Sequence, residues 1–157
     1  MKHRIIQLGL LFAVLLPVTA VADTAELERG RYLLKISGCN DCHTANYAQQ
    51  GGLVPEDDWL TGVPVGFQGP WGTTYPANLR LLLNSMDETQ WLNYARIERR
   101  PPMPWFALRD MTDEDLRAIY QFVISLGPKG EPTPLYAPPE FAVTTPVIDF
   151  MPKQLPQ

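Results

Sequence analysis

The sequence predicts a mainly helical single domain. Three stretches carry helical patterning, and no βαβ pattern surrounds the chain's cysteine pair. The 157 residues leave room for one domain, and 45% apolar with 19% charged residues is ordinary for a globular core. Two cysteines are too few for a disulfide-dense scaffold. A formal charge of −4 argues against nucleic acid as the main partner.

The first 22 residues read as an export signal rather than as part of the fold. Lys2, His3 and Arg4 make a basic start, Ile5 to Leu16 is an apolar run, and Ala20-Val21-Ala22 gives a small-x-small cleavage site. Cleavage is expected before Asp23, with an uncleaved anchor as the alternative. The apolar run is short for a membrane span, and Pro17 follows it. Removal takes Lys2 and Arg4 and no acid, so the charge of the remaining chain falls to −6.

The spacing of Leu27, Tyr32, Leu33, Leu34 and Ile36 predicts a first helix over Thr24 to Ser37, with Gly30 inside it. Thr44 to Leu83 is rich in Gly and Pro but carries Trp59, Phe67, Trp71 and Tyr75. A loop so aromatic is expected to wrap an apolar object or seal the core. A second helix is expected over Ser85 to Arg99, starting at a capping box on Ser85 or on Asp87. Arg96, Arg99 and Arg100 at its end either complement the helix dipole or form a basic rim for a docking partner. Thr112 caps the clearest helix, which Gly127 and Pro128 stop. Beyond it, eight of the last 30 residues are proline, an extended tail with little regular structure. Leu135, Tyr136, Phe141, Ile148 and Phe150 make it too apolar to be wholly free. It either straps its own domain or lies on a partner. The expected division is 1–22 leader, 23–127 haem-bearing domain and 128–157 extension.

The chemistry is concentrated in one pentapeptide. After the leader, the chain keeps two cysteines and one histidine, all in Cys39-Asn40-Asp41-Cys42-His43. Cys-x-x-Cys-His is the attachment sequence for c-type haem. Two thiols three positions apart on a helical turn can each add to a vinyl group of one porphyrin. The next residue's imidazole then lies under the iron. A thioredoxin-like redox pair would need a βαβ setting, zinc would need a fourth ligand, and a structural disulfide would leave the neighbouring histidine unexplained.

No second histidine remains for the sixth iron position, so a methionine is expected there. Met103 sits in Pro101-Pro102-Met103-Pro104-Trp105, where the prolines make a stiff, extended loop. Met86 and Met111 read as packing residues and Met151 lies in the tail. The cofactor-binding residues are thus Cys39, Cys42, His43 and Met103, with His43 and Met103 on the metal.

These residues resemble class I cytochrome c: the pentapeptide near the mature N-terminus, Met103 sixty residues on, a C-terminal helix, and Gly30, Tyr32 and Tyr120 as a helix-crossing contact. Gly72 to Leu79 and Met103 to Leu116 are similar to segments of the cytochrome c subunits of alcohol and aldehyde dehydrogenases. Those subunits often carry three haem domains; this chain has one motif. The resemblance covers about Glu26 to Gly127. It implies an all-α, cytochrome c-like fold of three to four helices around one covalently bound haem c. It also implies a periplasmic carrier of single electrons that does no bond chemistry. The expected partners are a dehydrogenase donor and an oxidase or other cytochrome acceptor, with no nucleic acid and no membrane span after cleavage. The competing readings are a haem enzyme or gas sensor with a labile sixth ligand, and a haem-bearing docking subunit of a larger oxidoreductase.

Overall fold

The computed structural model describes residues 19–154. Residues 1–18 of the expected leader lie outside the described residues. In chain order the elements are α1 (Thr19–Ile36), α2 (Cys39–His43), β1 (Gly66–Gly69), β2 (Gly72–Thr74), α3 (Leu79–Asn84), α4 (Glu88–Ala95), α5 (Trp105–Arg109), α6 (Asp113–Leu126) and β3 (Val147–Asp149). No helix among the described residues is long and apolar enough to cross a membrane.

Helix predominates, so the expected class holds in part. The expectation of an all-α chain is corrected by a three-stranded sheet ordered β2-β1-β3. Its strands are three or four residues long, and β3 comes from the tail. No alternation that short stands out from a loop, and the parallel β1–β3 pairing joins residues some 80 positions apart. The helix count also differs, because α2, α3 and α5 have only five or six residues each.

α6 and α4 start where local signals placed them, whereas α1 starts at Thr19, ahead of the expected Thr24 and within the segment read as leader. Thr112 accepts a hydrogen bond from the Asp115 amide at 3.1 Å, and Gly127 ends α6 at a φ of 69°. Asp87 and Gln90 close a reciprocal capping box, the second of the two expected starts. α4 stops at Ala95, short of Arg99; Pro101 bars Arg100 from helical geometry, and the Arg99 guanidinium takes the Tyr94 carbonyl at 2.7 Å.

The core lies where α1 crosses α6. A side chain on Gly30 would meet the Ala118 carbonyl oxygen at 2.0 Å, so only glycine lets the two backbones approach this closely. Tyr32 is exposed rather than at the crossing, and the Tyr120 hydroxyl donates to the Met86 carbonyl at 2.9 Å. Leu34, Leu116, Phe122 and Val123 are fully buried around the crossing. Trp91 ties α4 to it, its indole N–H donating to the Leu116 carbonyl at 2.8 Å. Arg80 of α3 is buried and donates to the carbonyls of Gly127, Leu126 and Asp57, covering the bare C-terminal end of α6.

The tail clamps the β1–β2 hairpin from both edges. Ala137 exchanges two backbone hydrogen bonds with Thr73 on the outer side of β2, at 2.8 and 3.0 Å. β3 pairs with the free edge of β1, Gly66 facing Val147. Phe150 then packs edge-on against Phe67 and beside Trp71, with ring centroids 5.7 and 5.9 Å away. The tail thus straps its own domain, while Leu135, Phe141 and Ile148 stay exposed.

Candidate functional site

α2 is a single helical turn held by buried polar groups. Gly38 enters it in the left-handed region at a φ of 70°. The Thr44 hydroxyl donates to Asn40 Oδ1 at 2.8 Å and accepts from the Leu60 amide at 2.8 Å, both bonds being buried. The Gly62 amide donates to the His43 carbonyl at 2.8 Å. These bonds fix the direction of the turn without help from a ligand.

His43 is 7% exposed, and its Nδ1 lies 2.7 Å from the Ala77 carbonyl oxygen. A carbonyl only accepts, so Nδ1 carries the proton and the Nε2 lone pair is uncommitted. Burial lowers the imidazole's pKa, opposed by the Ala77 hydrogen bond. The ring is therefore neutral and oriented, the state in which imidazole binds a metal.

The two thiols are free and partly exposed. Desolvation pushes the Cys39 thiol up to about 12 and raises Cys42 as well, with Asp41 adding to both. A pair this short of thiolate is a poor thiol–disulfide exchanger, which needs a depressed first pKa.

Cys39, Cys42, His43 and Met103 all line one cavity of about 600 Å³. Met86, Met111 and Met151 do not line it; the first two pack against the core and the third is exposed. Met103 is half-buried between α4 and α5. Its loop is held by the Trp105 amide, which donates to the Met103 carbonyl at 2.9 Å, and by the Thr74 hydroxyl, which donates to the Pro101 carbonyl at 2.9 Å. The remaining lining is mostly apolar, with Leu79, Leu82, Trp91, Leu108 and Ile119 among it. Pro132 to Tyr136 of the tail complete the wall, and Arg99 and Arg100 reach it as well.

The residues present fit the haem group that the pentapeptide predicts. Two thiols, an imidazole with its Nε2 lone pair uncommitted, and a thioether share one apolar space, whose volume lies in the range of cofactor pockets, about 300–1,000 Å³. Sequence reasoning missed the Ala77 carbonyl, because a backbone acceptor leaves no residue signature. It also missed the Asn40–Thr44 pair, whose four-residue spacing across the pentapeptide was a usable signal. Nothing in the tail marked Pro132 to Tyr136 as lining.

Comparison with known proteins gives a limited but specific likeness. No family model matches, and no solved structure matches. The chain is 28% identical over 127 residues to the alcohol dehydrogenase (quinone) cytochrome c subunit of Gluconacetobacter polyoxogenes, and equally to that of Komagataeibacter europaeus. Each match takes in 73% of this chain and 25% of the relative, so the chain spans about a quarter of the length of the curated relatives it matches. The chain is therefore similar to cytochrome c subunits of quinone alcohol dehydrogenases.

Proposed function

We propose that this chain is an exported monohaem c-type cytochrome with a cytochrome c-like fold, passing single electrons from a dehydrogenase or other donor to a respiratory acceptor. The observation that carries this reading is the convergence of Cys39, Cys42, His43 and Met103 on one apolar cavity. Cys39 and Cys42 hold the porphyrin by thioethers, and the oriented Nε2 of His43 and the Met103 sulfur bind the metal. The bound haem supplies a one-electron couple, which thioether ligation shifts towards the reduced state. The chain's own part is to orient His43 through Ala77, to hold Met103 in its proline-framed loop, and to exclude water with the apolar lining.

The expected leader supports a periplasmic location, and the likeness to dehydrogenase subunits supports a dehydrogenase donor. The test is the visible spectrum of the purified ferric protein. The expected result is a weak band near the red end from sulfur–iron ligation, lost in Met103→Ala. A high-spin spectrum that Met103→Ala leaves unchanged contradicts the ligand set and favours an enzyme or sensor.

A further inference from the structure

We propose that Arg99 and Arg100 anchor the two propionate carboxylates of the haem, and that Tyr136 of the tail positions Arg100 to do so. The proposal rests on the haem reading above. Its starting point is a contrast among the eight described arginines. Six of them, Arg29, Arg31, Arg80, Arg96, Arg109 and Arg117, lie within 4 Å of a carboxylate. Arg99 and Arg100 belong to no ion pair among the described residues, and both line the cavity.

No carboxylate lines that cavity. Its other titratable side chains are Cys39, Cys42, His43, Tyr75, Tyr94 and Tyr136; Glu98 lies in a neighbouring groove that both arginines also line, but its carboxylate forms no ion pair with either among the described residues. Two uncompensated cations at an otherwise uncharged wall call for an anionic occupant, and a porphyrin carries its two carboxylates on one side. A guanidinium binds a carboxylate through two parallel N–H bonds, which a point charge cannot match.

Both groups are already held. Arg99 lies 4.1 Å from the Tyr94 ring centroid and donates to the carbonyls of Tyr94 and Ile97 at 2.7 and 3.1 Å. Arg100 lies 3.9 Å from the ring centroid of Tyr136. That ring is itself fixed to the hairpin, its hydroxyl donating to the Trp71 carbonyl at 2.9 Å and the next residue, Ala137, pairing with Thr73. The tail thus has a task at the cofactor: it carries the platform on which Arg100 rests.

The test is the reduction potential of the full-length, haem-loaded protein as a function of pH, between about 5 and 9. Arginine beside a carboxylate lowers its pKa by about 1–3 units. In Arg99→Gln and Arg100→Gln the redox-linked ionisation is therefore expected to move up by about that much, with a lower potential at pH 7. Tyr136→Ala is expected to move it in the same direction, and Tyr136→Phe, which keeps the ring but loses the bond to Trp71, to move it less. Arg109→Gln, away from the cavity, is the unchanged reference. Arg99→Lys and Arg100→Lys keep the charge but lose the fork, and a smaller upward shift is expected. They take the place of a Gln variant that does not accumulate. Curves that superimpose on that of Arg109→Gln overturn the assignment and point to an acidic docking partner as what these arginines await. Wild-type protein that loses its colour to acidified acetone overturns the haem reading itself, a result distinct from pigmented protein with invariant curves.

Discussion

On the pentapeptide wall of the cavity, His43 is buried, its ring is tied to Ala77, and Thr44 links Asn40 of the turn to Leu60. On the Met103 wall, the sulfur-bearing residue is half-buried, and an amide and a partly exposed threonine hydroxyl hold its loop. The first wall gets its shape from buried hydrogen bonds, which are costly to break. The second gets it from prolines, which restrict the chain before it folds. The difference matches the two ligand roles proposed. An imidazole must present one particular nitrogen, whereas a thioether needs only a short, stiff reach to the metal.

The largest expected effect tests the two walls directly. His43→Ala is expected to abolish stable haem incorporation, and Met103→Ala to keep the pigment with an altered spectrum and a lower potential. Haem content per polypeptide after expression in a haem-attaching host measures this. Equal loss in both variants breaks the contrast.

A second pair reads the supports instead of the ligands. Thr44→Val leaves the buried Leu60 amide without its acceptor and should cost about 1–3 kcal/mol. Thr74→Val removes a bond in a more exposed setting and should cost about 0.5–1.5 kcal/mol. Denaturant unfolding of the two haem-loaded variants gives both numbers, and a larger cost for Thr74→Val reverses the ranking.

The smallest effect lies away from both walls. The Lys129 ammonium, 2.6 Å from Asp57, holds that carboxyl below its ordinary value, chiefly by hydrogen bonding. A depressed carboxylate stabilises the fold above its unfolded pKa and loses that contribution as pH falls through the folded value. Asp57→Asn should therefore be slightly less stable at neutral pH, with an unchanged spectrum. The gap should close as pH drops below the ordinary carboxylate value of 3.8. A gap that widens in acid contradicts the assignment.

What the sequence revealed divides along similar lines. The pentapeptide could be read because its thiols and imidazole sit within five residues. The caps at Thr112 and Asp87 could be read because a helix start is a local event. The prolines around Met103 could be read because each restricts its own backbone and that of the residue ahead of it. The β3 pairing, the tail's path and the Ala77 contact could not be read, since each joins residues tens of positions apart and uses a backbone partner; the β1–β2 hairpin is local, but its strands are only three or four residues long. α3 and α5 are one or two turns long and depend on the core they pack against.

The most direct test of the central claim is the mass of the intact, denatured protein after organic extraction. The account predicts the mature polypeptide plus one haem, with the addition lost only when both Cys39 and Cys42 are replaced. A mass equal to the bare polypeptide, or an added mass that survives the double replacement, would contradict it.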